Sequence, residues 1–254
     1  EVPYHCGSSM SRPESVVIVT SHAHVNGGSS KVALDSALGL VSAGVAVTVF
    51  AATGPVDPEL TTAGVEVVCL GQDDLHPDDG MGRSAVRGLW NRPAAAALRA
   101  VLADHDPRTT VVHTHSLSAS ISPAVGPVLT SGSPAHVFTM HDFLLACPTG
   151  TFFHHRDEQL CERRPLGRAC LTTNCDANRP LHKGWRVARQ LLMRSVGRMP
   201  RDLTDVVYLS QLQLDVMRPH IPAGVELHHV PNPVPVEPGP RVPAGANDVF
   251  LFVG

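Results

Sequence analysis

The segment from residue 15 to residue 51 restricts this chain more than any other. Ser15-Val16-Val17-Ile18-Val19-Thr20 is short, β-branched and free of polar alternation, the pattern of a strand buried on both faces. A polar stretch with paired glycines follows, His22-Ala23-His24-Val25-Asn26-Gly27-Gly28-Ser29-Ser30. Residues 31–42 then place Ala33, Leu34, Ala37, Leu38 and Val41 at helical spacing, and Gly44 supplies a left-handed stop. Residues 45–51 read as a second buried strand. Such a βαβ unit has parallel strands and a right-handed crossover.

The rhythm continues. A short helix (58–63) precedes a strand (65–70), and a polar Gly/Asp-rich connection runs over 71–92. Residues 94–102 are strong helix formers with Pro93 at the first turn. Residues 109–115 form a strand that ends on His113 and His115, two residues apart and therefore on one face. A small-residue helix (122–130) leads to the strand that delivers His141 and Asp142. Alternation over this length predicts an α/β fold, a Rossmann-like doubly wound parallel sheet. Later elements are a helix at 182–199, a strand at 205–210, a helix at 211–217 and a strand at 227–230.

Four units are expected: a loose terminus (1–14), the α/β domain (15–230) with a Cys-rich insertion (147–180), a proline-rich linker (231–248), and a strand (249–254) opening a further domain. The charged fraction of 17% and net charge of −3 fit a soluble globular chain and argue against nucleic-acid binding. No apolar run reaches the length of a membrane span. The first, Val16 to Val19, is too short for a secretory signal, so a cytoplasmic setting is expected.

Four sites emerge. The Asn26-Gly27-Gly28-Ser29 turn before the first helix offers backbone amides and a positive helix end to a diphosphate or sugar hydroxyl; its plain alternative is a tight turn. It is not a GxGxxG fingerprint, and no acid ends the second strand, which disfavours a nicotinamide dinucleotide. His113, His115 and His141 converge if their strands are neighbours, and can donate to sugar hydroxyls or stabilise developing charge. Asp142 points elsewhere or orients the loop. Cys147, Cys161, Cys170 and Cys175 match a structural zinc site in number, with His154 or His155 as substitutes, although the spacing is not a CxxC pair. An iron–sulfur cluster, free thiols and disulfides stay open. Finally, Lys183, Arg186, Arg189, Arg194 and Arg198 on helix 182–199, beside an apolar stripe of Trp185, Ala188, Leu192, Val196 and Met199, suit either peripheral contact with anionic lipid or a solvated basic face.

Taken in order, the Gly-Gly loop, Val111-Val112-His113-Thr114-His115, Phe138-Thr139-Met140-His141-Asp142-Phe143 with Cys147-Pro148-Thr149-Gly150, Val207-Tyr208-Leu209-Ser210, Val230-Pro231-Asn232-Pro233-Val234 and Phe250-Leu251-Phe252-Val253-Gly254 resemble the N-terminal domain of glycosyltransferase family 4, the retaining GT-B enzymes. The resemblance implies an acceptor-binding half facing a nucleotide-sugar-binding half, with a glycan or lipid acceptor and no catalytic cofactor. It matches Gly27 and Gly28 to the loop facing the donor diphosphate, and His141 to the catalytic-site histidine that contacts the transferred sugar. Gln211 departs from the glutamate of many relatives. A non-catalytic Cys-stapled binding module and a sugar-nucleotide epimerase are the competing readings.

Overall fold

Val17, Ile18 and Val19 have no exposed surface, which only a central strand covered on both faces achieves. They lie in β1 (Ser15–His22). A computed structural model describes residues 12–73, 82–115, 117, 120–177, 180–233 and 239. In chain order the elements after β1 are α1 (Gly28–Ser42), β2 (Ala46–Thr53), α2 (Pro58–Thr62), β3 (Glu66–Cys69), α3 (Arg83–Leu89), α4 (Arg92–Ala103) and β4 (Thr110–His115). A 3-10 turn (Pro123–Val125) runs into α5 (Gly126–Leu129) and then β5 (Ala135–Thr139). The insertion holds β6 (Phe153–His154), β7 (Gln159–Leu160) and α6 (Arg168–Thr172), and α7 (Pro180–Arg194), β8 (Asp205–Tyr208), α8 (Gln211–Met217) and β9 (Glu226–His229) complete the described chain.

Seven strands form one parallel sheet in the order β3-β2-β1-β4-β5-β8-β9. The expected doubly wound α/β fold is what the chain adopts. The sheet grows outward from β1 in one direction and from β4 in the other, so the topological switch point lies between their carboxyl ends.

Each face has its own core. On one, Ala33, Leu34 and Ala37 of α1 and Leu60 of α2 pack on Val16, Ile18, Val47 and Val49. On the other, Leu98 of α4, Val125, Leu129, Met193 of α7 and Met217 of α8 cover Val17, Phe50, Val112, Phe138 and Val206. Burying each such side chain contributes roughly 2 kcal/mol. Caps follow the sequence: Asp57, Asn91 and Ser210 accept hydrogen bonds from Glu59 N, Ala94 N and Gln213 N.

Four expectations change. Helix α1 starts at Gly28, three residues before the expected start at 31, its first turn closed by Ser30, whose hydroxyl accepts from Asn26 N and donates to Gly27 O. The 71–92 connection contains α3, tied to α7 by Trp185 Nε1 donating to Ala85 O at 2.9 Å. Helix α7 ends at Arg194, and its buried residues are Lys183, Arg189, Gln190 and Met193 rather than an apolar stripe; Val196 is exposed. The loose terminus, the linker and the final strand fall largely outside the described residues, as does Cys6.

Candidate functional site

The carboxyl ends of β1, β4 and β5 meet at the switch point. His113 is the ladder partner of Ile18, and Val111, on the same face of β4, packs in the core beneath α1. His113 and His115 therefore share the face over which α1 begins. Their ring centroids are 4.1 Å apart. His113 Nε2 lies 2.7 Å from Thr139 Oγ1, and His115 Nδ1 lies 3.0 Å from His141 Nε2, with those two rings stacked. The three histidines expected to converge do so.

Their environment fixes their charge. Burial, with the His141 ring as a second cause, pushes His113 down to about 4. Burial, then His113 and His141, takes His115 to about 2, and burial alone takes His141 to about 4. All three are neutral imidazoles near pH 7, able to donate or accept one hydrogen bond per ring nitrogen and unable to act as cations. His115 Nε2 is buried without a hydrogen-bond partner among the described residues, whereas His141 is half-buried.

At the mouth of α1, Gly27 has φ +117° and ψ 178°, backbone open in practice only to glycine. A Cβ on Gly27 or Gly28 would meet nothing within 4 Å, so the space above the turn is open. Asn26 N donates to Ser30 Oγ at 2.8 Å, Ser30 Oγ donates to Gly27 O at 3.0 Å, and Asn26 Nδ2 lies 2.8 Å from His22 Nε2. The side chain of Ser29 is half-buried, and no acid occupies the first turn of α1.

Polar side chains hold the loops, and of these Gln213 and Gln190 carried no expectation from the pattern. Gln213 Nε2 donates to Met140 O at 2.9 Å while its Oε1 accepts from Leu209 N at 2.8 Å, joining the loops after β5 and β8. Asp142 Oδ1 accepts from Leu144 N at 2.9 Å. The buried Arg189 guanidinium donates to Leu117 O; burial pulls it down to about 10 while Asp142 counters that shift. Gln190 Nε2 and Arg194 Nη2 both donate to Ala146 O at 3.3 Å. Arg186 pairs with buried Asp176 at 2.8 Å. Four basic side chains of α7 meet protein groups, because the insertion offers thiols and a carboxylate to Lys183 and Arg186, and the loops before it offer the Leu117 and Ala146 carbonyls to Arg189 and Arg194. Of the basic residues expected on this helix, Arg198 is the one that stands exposed. Gln211, the position noted for its departure, is exposed and donates to Asp215 at 2.8 Å.

Cys147, Cys170 and Cys175 are buried and Cys161 half-buried, all as free thiols. Among the described residues, no three of their sulfurs lie within 4.8 Å of one another; the group that does so is Asp205, Glu226 and His228, on the exposed edge of β8 and β9. Two of the four thiols face a cation: the Lys183 ammonium donates to Cys175 Sγ at 3.1 Å and to Cys170 Sγ at 3.8 Å.

A family described as "Glycosyl transferase 4-like domain" matches residues 27–233. No curated protein matches the sequence. Solved structures similar to the chain include a glycosyltransferase from Rickettsia africae ESF-5, with 12% identity and a TM-score of 0.45 over 86% of this chain and 43% of that one. Another is a UDP-glucosyltransferase from Polygonum tinctorium capable of glucosylating indoxyl, with 15% identity and a TM-score of 0.46 over 92% and 55%. MurG of Acinetobacter baumannii gives 12% identity and a TM-score of 0.34 over 86% and 68%. The chain thus spans about half the length of the first two.

Proposed function

We infer, from a chain that belongs to the glycosyl transferase 4-like domain family, that it forms the acceptor-side half of a retaining glycosyltransferase. The enzyme moves a sugar from a nucleotide-sugar to a glycan or lipid acceptor, and a second Rossmann-like domain holds the donor. The observation that carries this reading is the convergence of neutral His113, His115 and His141 at the same end of the sheet as the open Gly27-Gly28 turn.

The chemistry follows from the parts. Backbone amides of the first turn of α1 face a diphosphate, with the helix end supplying partial positive charge. His141, half-buried and neutral, hydrogen-bonds a hydroxyl of the transferred sugar, and its partner His115 sets the tautomer that meets that hydroxyl. Asp142 and Gln213 hold the His141 loop from either side. This is positioning and hydrogen-bond catalysis, without a protein nucleophile or a catalytic cofactor.

The test is a survey of nucleotide-sugars with the full-length protein, following nucleoside diphosphate release and, by NMR, the anomeric configuration of the product. Turnover of one donor with retained configuration is expected. Failure to bind or turn over any donor would refute the assignment, and inverted product would refute retention.

A further inference from the structure

Lys183 is 5% exposed, sits on α7 and has no carboxylate within ion-pair distance among the described residues. Its Nζ donates to Cys175 Sγ at 3.1 Å and to Cys170 Sγ at 3.8 Å. Both sulfurs are buried, at 5% and 7% exposure. A buried ammonium normally faces a carboxylate; here its neighbours are thiols. An amine held against a thiol, away from competing water, is set up for a reaction that neither group undergoes alone.

We propose that Lys183 and Cys175 are an oxidative modification site, joined under peroxide by a single oxygen atom as an Nζ–O–Sγ bridge. The reactants are the Lys183 amine, formed when the ammonium gives up one proton to solvent, the thiol and two molecules of hydrogen peroxide. The first peroxide oxidises the thiol to a sulfenic acid and leaves as water. The second takes up two electrons as the nitrogen–oxygen bond forms. One N–H and the S–H are lost, N–O and S–O bonds are made, and three waters result: R–NH2 + R′–SH + 2 H2O2 → R–NH–O–S–R′ + 3 H2O. The 3.1 Å separation lets one oxygen span the pair with small side-chain movement. Cys175 belongs to the insertion, whereas Lys183 lies on the same helix as Arg189, Gln190 and Arg194, which hold the Leu117 and Ala146 carbonyls. The bridge fastens the insertion to the helix that fixes the site loops, and the proposal is independent of the glycosyl-transfer reading.

Peptide mass mapping of the purified full-length protein, reduced and then treated with hydrogen peroxide, tests this. The expected product joins the Cys175 and Lys183 peptides, is one oxygen heavier and two hydrogens lighter than the reduced pair, and reverts with a thiol reductant. Cys170→Ser should retain it and Lys183→Met should abolish it. Because Lys183→Met also removes a buried hydrogen-bonded group, acylation of the wild-type lysine after oxidation provides a second measurement: Lys183 should become unreactive. A Cys170–Cys175 disulfide, sulfinic acid on Cys175 with Lys183 still acylated, protection of the thiols by bound zinc, or no change in mass would each overturn the proposal.

Discussion

His115 Nδ1 and His141 Nε2 lie 3.0 Å apart with their rings stacked at 26°, so one imidazole donates to the other across the ends of β4 and the β5 loop. Only one proton fits between the two nitrogens. Protonating both rings would break the contact and place charge in a buried site, which is why the cluster stays neutral.

The first consequence is acid sensitivity. Burial lowers His113 to about 4, His115 to about 2 and His136 to about 3, against an ordinary value of 6.5. The unfolded chain binds more protons between those values and 6.5, so stability is complete above 6.5 and falls as pH drops towards the folded values. By pH 5 each fully buried histidine lowers stability by roughly 2 kcal/mol relative to pH 7, with coupling making the sum smaller. His136, bonded to Thr114 at 3.0 Å, titrates outside the candidate site. Urea unfolding of His136→Gln at pH 7 and pH 5 should show a smaller difference than wild type; an equal difference would remove His136 from the explanation.

Catalysis should depend on the ring that reaches the open space. His141→Ala is expected to lower kcat/KM by about 10²-fold, as for loss of one oriented hydrogen-bond partner. His141→Asn, which keeps a donor and an acceptor, should recover part of that loss. Near-normal turnover in the alanine variant would take His141 out of the site.

The two glycines should separate. Gly27→Ala forces a side chain into φ +117°, a cost of about 1–3 kcal/mol, although its Cβ touches nothing. Gly28→Ala stands in the first helical turn, also in open space, and should leave the unfolding midpoint nearly unchanged. If the turn faces a diphosphate, the added methyl of Gly28→Ala should raise KM for the nucleotide-sugar. Equal loss of stability in both variants would contradict the backbone argument.

The sheet and the histidine ends were legible because both follow from periodicity: continuous apolar runs mark doubly buried strands, and residues two apart share a face. What escaped was polar and buried. Arg189 and Lys183 read as part of an outward basic face and Gln213 drew no expectation, since a single sequence carries no mark of the carbonyls and thiols awaiting them. The insertion escaped for the opposite reason: its cysteines announced a shared site, yet their spacing could not show that a lysine from α7 stands among them.

That inward turn of α7 yields the last prediction. Arg189→Met removes the donor to Leu117 O and a buried charge that interacts with Asp142, and should destabilise the protein by about 3 kcal/mol or more in urea unfolding. Arg201→Ala removes an exposed group paired with its neighbour Asp202, and should leave the unfolding midpoint where it was. The same geometry governs membranes. Lys183, Arg186, Arg189 and Arg194 already hold partners inside the protein, so flotation should show no preference for anionic over neutral vesicles. A strong anionic preference, lost on raising the salt, would mean that these side chains leave their internal partners at a lipid surface, and the buried arrangement of α7 would then be only one of two.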